Sequence, residues 1–135
     1  MKKILRLNQD NYYSQEANEQ YFSVSQYKDF MKCEAMAMAK ISGIYKPEIT
    51  KPMLIGSFVD SYFEGTLGNF IRENPEIFKA NGTLKADYIQ AESIIQRILK
   101  DRLFMKHLSG EKQVIMTGSI NGVAVKIKID SFLPD

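Results

Sequence analysis

The dipeptide Asn121-Gly122 most constrains the fold of this chain, because it lies between two segments rich in Val, Ile and Thr. Asn-Gly is the strongest short-range signal for a two-residue β-hairpin, since both central residues of a type I′ turn take positive φ. Segments 113–119 and 123–133 are therefore predicted to pair as antiparallel strands about this turn.

The turn fixes the register, and the register assigns every hairpin side chain to one of two faces, because side chains alternate along a strand. One face is expected to be core and comprises Val114, Met116, Ile120, Val123, Val125, Ile127 and Ile129. The other is expected to be solvated and comprises Glu111, Gln113, Thr117, Lys126, Lys128 and Asp130.

Two acids, Glu111 and Asp130, are predicted to converge on the polar face. Diagonal cross-strand neighbours lie about 7–8 Å apart at the backbone and closer at the side-chain tips. Two carboxylates at this spacing could bind one hard divalent cation such as Mg²⁺, which takes oxygen ligands and usually keeps several waters. Such an ion would polarise a phosphodiester and activate an attacking water. The alternative is two solvated charges, with Asp130 paired to Lys128 or another neighbour.

Upstream of the hairpin the apolar residues recur at helical spacing. The predicted helices cover residues 26–41 (with Ser25 as N-cap), 53–64 (ending at Gly65), 67–79 (broken at Asn74-Pro75) and 84–108. Residues 8–22 are expected to form an irregular lead-in. The predicted fold class is α+β, a single domain over 1–135 in which a mainly helical region, 1–110, precedes an antiparallel β-hairpin, 111–135.

Composition limits the function more than it identifies it. A chain of 135 residues, 44% of them hydrophobic, can bury a core without disulfides, and a net charge of +2 permits DNA binding without indicating it. The single cysteine, Cys33, excludes a disulfide framework or a Cys-rich metal site and is expected to be a buried thiol. No apolar run approaches the ~18 residues of a membrane span, and the apolar stretch near the N-terminus is too short for a secretory signal. A cytoplasmic protein is therefore expected.

Four segments resemble phage RecE-like and RecB-like exonucleases of the PD-(D/E)xK class, which have the lambda-exonuclease type of fold. VAVKIKIDSF resembles the strand that ends in Ile-Asp, and GEKQVIMTGSINGV resembles the strand before it. LIGSFVDSYFEG is similar to a helix that reads Gly-x-x-x-His, and the segment from Tyr12 to Gly43 is similar to the opening of these nucleases. The resemblance implies an incomplete restriction-endonuclease-like core, with Asp130 and Glu111 as catalytic residues and metal ligands.

The sequence departs from this family pattern at two places. Asp60 stands where the family's helix has His, and it shares one helix face with Glu64 at i, i+4. Asp60 could be a metal ligand, or it could have an ordinary solvent-facing or capping role. In addition, none of the sixteen Asp and Glu residues has Lys two positions later, so the acidic-x-Lys strand of the signature is missing. The chain is therefore expected to be truncated before that strand, to bind metal weakly and to be inactive alone.

The function implied by the resemblance is that of the N-terminal part of a metal-dependent DNA exonuclease of phage or prophage recombination. Its complete form would use Mg²⁺ or Mn²⁺, act on double-stranded DNA ends beside a single-strand annealing protein, and assemble as a homo-oligomer in the bacterial cytoplasm, away from membranes. Whether this chain is itself an enzyme stays open. Lys126 and Lys128 would contact phosphates, or would simply belong to a solvated face.

Two other interpretations are kept. The chain could be a non-catalytic phage module that binds and inhibits a host nuclease or recombination complex. It could also be a helical protein whose hairpin has no functional polar face. The second interpretation predicts no metal affinity and no loss of function when Glu111 or Asp130 is changed.

Overall fold

The computed structural model describes residues 3–134, in which helices precede one β-hairpin. Within these residues the α-helices are α1 (Gln15–Gln20), α2 (Val24–Lys32), α3 (Glu34–Ile41), α4 (Lys51–Glu64), α5 (Leu67–Glu73), α6 (Ala86–Lys100) and α7 (Arg102–His107). Strands β1 (Glu111–Ile120) and β2 (Val123–Phe132) pair in a two-stranded antiparallel sheet. The predicted α+β class is confirmed. None of the helices in residues 3–134 is long and apolar enough to cross a membrane.

The chain separates into two compact units. The first unit comprises residues 3–48 and 113–129, and the second comprises residues 49–112 and 130–134. Two compact units can still fold cooperatively, so the single domain over 1–135 stays a prediction.

The core of the second unit lies between α4 and α6. Tyr88, Ala91 and Ile95 recur at three- and four-residue spacing on α6, which gives this helix one buried face. Phe58 of α4 packs edge-on against Tyr88, with ring centroids 5.4 Å apart. Helix α4 stops at Gly65, whose left-handed φ of 79° closes the last turn as predicted.

The predicted helix over 26–41 is in fact two helices. Cys33 has an extended backbone, with φ −163° and ψ 109°, and it separates α2 from α3. The start of α2 also differs from the prediction, because Ser23 rather than Ser25 forms the capping box with Gln26. Cys33 is exposed, so the expectation of a buried thiol is wrong.

The predicted helix over 84–108 is divided in the same way. The carboxylate of Asp101 accepts a hydrogen bond from the backbone N–H of Phe104 at 2.9 Å and caps α7. Asp at this position offers the backbone an alternative to a continuous helix, because its side chain satisfies an N–H that begins a new one. The lead-in over 8–22 likewise contains a short helix, α1, capped by Ser14.

The hairpin turn forms as predicted, with φ of 50° at Asn121 and 80° at Gly122. The prediction that the apolar face is core is wrong, because Ile120, Val123 and Ile127 are 64%, 52% and 42% exposed. In the first unit, the N-terminal segment instead packs with Lys126 and Lys128, which were predicted to be solvated.

Lys126 shows this reversal most clearly, since it is only 2% exposed. Its ammonium group donates hydrogen bonds to the carbonyl oxygen of Tyr12 at 2.6 Å and to Oδ1 of Asn18 at 2.7 Å. Backbone hydrogen bonds from the N–H of Phe22 to the oxygen of Ala124 and from the N–H of Lys126 to the oxygen of Phe22 extend this contact along β2. The N-terminal segment therefore packs on Lys126 and Lys128 of the polar face, whereas Thr117 of the same face is exposed.

Candidate active site

A small cavity of about 150 Å³ in the second unit collects four charged side chains. These are Asp60, Glu64, Lys112 and Asp130. Its other walls are apolar and come from Val59, Phe63, Ile98, Phe104 and Leu108. Charges gathered against apolar walls interact more strongly than they would in water, so this cavity is the chemically most distinctive place in the unit.

Helix α4 supplies two of the carboxylates. Asp60 and Glu64 lie one turn apart, so both side chains project from the same side of the helix. Phe58, two residues before Asp60, is buried in the core and fixes the rotation of the helix. Asp60 and Glu64 also line a polar groove of about 310 Å³ beside α5, together with Ser57, Ser61, Thr66, Asn69, Phe70 and Glu73.

Asp130 is close enough to Asp60 for its negative charge to influence the ionisation of Asp60. Partial burial of the carboxyl and, secondarily, the negative charge of Asp130 raise the pKa of Asp60. Like charges that share a site disfavour simultaneous ionisation, and a divalent cation between them would relieve this repulsion. The structure thus brings together two of the three predicted metal ligands.

The carboxylate oxygens at this cavity are donors of the type that a hard cation prefers, but they are too few to complete its coordination. Carboxylate oxygens are the ligands that Mg²⁺ and Mn²⁺ prefer, and Mg²⁺ commonly binds one or two carboxylates and several waters. Among residues 3–134, no group of three or more His, Cys, Asp or Glu side chains has the spacing of a metal site. An ion between Asp60 and Asp130 would therefore need water molecules to complete its coordination.

Glu111, the third predicted ligand, is exposed and is not among the described residues that line this cavity. The prediction assumed regular alternation along β1, but Gln113 has a left-handed φ of 55°. A left-handed residue inside a strand is the mark of a bulge, across which alternation does not continue. Just before this point, Gly110 lies so close to Phe132 that a Cβ on residue 110 would collide with the carbonyl oxygen of Phe132. The register set by the turn would instead place Gly110 opposite the residue that follows Phe132. As a result, Lys112 and not Glu111 lies at the cavity with Asp130.

The two lysines predicted to contact nucleic acid are placed differently from expectation. Lys126 is buried and its ammonium group is used within the first unit, so its assignment to a solvated face is wrong. The ammonium of Lys128 lies 4.9 Å from the ring centroid of Tyr13 and 5.5 Å from that of Tyr12. Both lysines therefore make cation–π contacts with the N-terminal tyrosines.

Sequence reasoning missed Lys112. Regular alternation would have placed it on the apolar face of the hairpin, and no turn residue in the sequence marks the bulge at Gln113. One feature of the sequence could have indicated its role. Regular alternation places this Lys on the face expected to be core, where a charged side chain is rarely buried without a partner.

The comparisons with known proteins agree with a nuclease-like fold. The model of a PDDEXK-like domain family of unknown function (DUF3799) matches residues 23–135. A solved crystal structure, of a protein from Eubacterium rectale provisionally named an exonuclease, is 52% identical, superimposes with a TM-score of 0.90 and matches 96% of this chain. The match covers 51% of that protein, so the chain spans about half the length of this relative. No protein of curated function matches the sequence. With the match extending over most of its length, the chain belongs to the DUF3799 family of PDDEXK-like domains.

Proposed function

We propose that this chain is the N-terminal part of a divalent-metal-dependent DNA nuclease of the exonuclease type. The observation that carries the proposal is the approach of Asp60 and Asp130 to one cavity in a PDDEXK-like domain. Nucleases with PDDEXK-like domains generally use divalent metals, and DNA is the substrate that this fold suggests.

In this proposal Asp130 and Asp60 bind Mg²⁺ or Mn²⁺ and are the residues most directly involved in catalysis. The ion would supply a Lewis acid for the phosphodiester and lower the pKa of its bound water. Glu111 is retained as a third ligand that would have to approach from its exposed position at the start of β1. Lys128 is retained as a phosphate contact, which would require it to leave the tyrosine rings.

The 135-residue chain is proposed to be inactive by itself. A PD-(D/E)xK site needs an acidic-x-Lys element, and no Asp or Glu in this sequence has Lys two positions later. The Lys of that element would stabilise charge at the phosphate, and the acid would anchor the ion further. The biological setting proposed is phage or prophage recombination in the bacterial cytoplasm, at double-stranded DNA ends, beside a single-strand annealing protein.

Paramagnetic broadening by Mn²⁺ tests the metal assignment without requiring turnover. In amide NMR spectra of the 135-residue chain, Mn²⁺ is expected to broaden the signals of Asp60 and Asp130 first. Asp130→Asn should abolish this selectivity, whereas Glu92→Gln, on an exposed position of α6, should preserve it. Glu111→Gln measures whether the third ligand takes part. Selective broadening elsewhere, or none at the two aspartates, would remove the proposal's physical support.

A nuclease assay on linear duplex DNA tests the activity. The 135-residue chain is expected to leave the duplex intact, whereas the Eubacterium rectale protein, about twice as long, should degrade it with Mg²⁺ and stop when the metal is chelated. Failure of the longer protein to degrade DNA under any divalent metal would favour the alternative of a non-catalytic binding module. Degradation by the short chain, lost in Asp130→Asn, would show that the acidic-x-Lys element is dispensable.

A further inference from the structure

We propose that Lys112 binds a phosphate group of the nucleic acid at the cavity formed by Asp60, Glu64 and Asp130. This role rests on the proposed nuclease function and adds to it an anion-binding residue that lies outside the missing acidic-x-Lys strand. Lys112 would act directly on the substrate rather than through the metal ligands.

The position of Lys112 is the first support. It is half-buried at the second residue of β1 and is the single cation among the described residues lining this cavity. A half-buried Lys places its aliphatic stem along apolar walls and leaves its ammonium group at the opening. In this proposal the ammonium group of Lys112 reaches a ligand that approaches the carboxylates of the same cavity.

The second support is that Lys112 is not neutralised by the carboxylates around it. In the part of the chain that the structure describes, the side chain of Lys112 forms no ion pair of the kind that joins Lys40 to Asp29 and Lys51 to Asp87. An ammonium group that lines a cavity with three carboxylates, yet pairs with none of them, remains available to an external anion.

The third support is electrostatic. A phosphodiester that approaches three carboxylates meets repulsion, and one divalent ion offsets only part of it. A cation beside the metal site would strengthen the binding of the phosphate and weaken the binding of the metal ion. These two effects have opposite signs, which makes the role of Lys112 separable from that of Asp60 and Asp130.

The backbone before Lys112 is held in place by specific contacts. The N–H of Gly110 donates to Oγ of Ser131 at 3.1 Å, and the hydroxyl of Ser131 donates to the carbonyl oxygen of His107 at 2.6 Å. Ser131 adjoins Asp130 in β2, so these bonds fix the segment that carries Lys112 next to the strand end that carries Asp130. Such preorganisation is what a phosphate-binding residue requires.

Two titrations on the 135-residue chain test the proposal, with Lys112→Met removing the charge and Lys112→Arg keeping it. The first measures the affinity for Mn²⁺, and the second measures the affinity for a short blunt duplex in Ca²⁺ over a range of salt concentrations. Lys106→Met, at an exposed position of α7, is the matched control.

Lys112→Met is expected to lower duplex affinity roughly fivefold to tenfold and to reduce the slope of log K against log salt by about 0.9, the value of one phosphate contact. Its Mn²⁺ affinity should stay equal or rise. Lys112→Arg should retain duplex binding, and Lys106→Met should leave affinity and slope unchanged.

An unchanged salt slope in Lys112→Met would overturn the phosphate role, and weaker Mn²⁺ binding would show instead that Lys112 supports the metal site. Failure of the nuclease function itself looks different, because Asp130→Asn would then bind Mn²⁺ as well as the wild type does. A wild-type chain that does not bind duplex at all counts against both proposals.

Discussion

Asp60 carries a charge that the folded protein disfavours. Partial burial and, secondarily, the negative charge of Asp130 raise its pKa, yet the structure pairs it with no cation among the described residues. A position of this kind lowers stability, and it is typical of sites that bind a charged ligand. Asp60 therefore allows the functional interpretation to be tested by a stability measurement.

We predict that Asp60→Asn raises the melting temperature at neutral pH. The folded pKa of Asp60 lies above its ordinary value of 3.8, so the ionised form costs stability whenever pH exceeds the folded pKa. As pH falls, the folded protein takes up the proton first, and the cost disappears once pH is below the ordinary value. The effect should be about 1 kcal/mol or less, because Asp60 remains solvent-accessible.

Thermal unfolding of both proteins between neutral pH and about pH 4 measures the difference. The stabilisation by Asn should shrink towards zero as the pH is lowered. Mg²⁺ should reverse the order, because it binds the wild-type carboxylate and stabilises that folded state. A constant difference at all pH values would mean that the charge of Asp60 is not what the fold disfavours.

At the scale of the elements, the Asn-Gly turn and helix α4 could be predicted from the sequence, because the residues that determine them are neighbours in the chain. Asn121 and Gly122 dictate a type I′ turn wherever they occur between strand-forming residues, and Gly65 ends a helix by its own conformational freedom. The helix interruptions at Cys33 and Asp101 were not predicted, because the apolar periodicity continues across both positions. Capping overrides periodicity there.

The candidate site was predicted only in part, for the same physical reason. Asp60 and Asp130 could be named because each belongs to a motif within one element. Which other residue joins them depends on the bulge at Gln113, and which face of the hairpin is buried depends on packing by residues about a hundred positions away. Contacts between residues so far apart in the chain produce no periodic pattern in the sequence, so they cannot be predicted from periodicity.

The bulge itself gives a prediction about Gln113. Asn tolerates left-handed φ better than most residues, whereas a β-branched residue is strongly disfavoured there. Gln113→Val should therefore be less stable than Gln113→Asn by about 1–2 kcal/mol, since both variants lose the Gln side chain and differ in backbone preference. Urea unfolding of the two variants measures this difference. Equal stabilities would mean that residue 113 is not left-handed in solution.

At the scale of the whole molecule, the hairpin leaves an apolar surface uncovered in this chain. Met116, Ile120, Val123 and Ile127 are 37%, 64%, 52% and 42% exposed on one face of the sheet. Contiguous apolar patches on a soluble protein usually mark an interaction surface, and a two-stranded sheet is marginal without cover on its apolar face. The solved relative from Eubacterium rectale has about twice the length of this chain, so it has additional residues with which such a face could be covered.

We predict that the 135-residue chain self-associates through this face. The double variant Ile120→Thr with Ile127→Thr keeps strand-forming residues while removing apolar surface, so it should lower association without unfolding the hairpin. Leu103→Gln is the control, because Leu103 is 66% exposed but lies on α7. Sedimentation over a wide concentration range should show the average mass rising for the wild type and the control and staying at the monomer value for the double variant. A wild-type chain that remains monomeric throughout, or a double variant that associates equally well, would show that this face does not drive assembly.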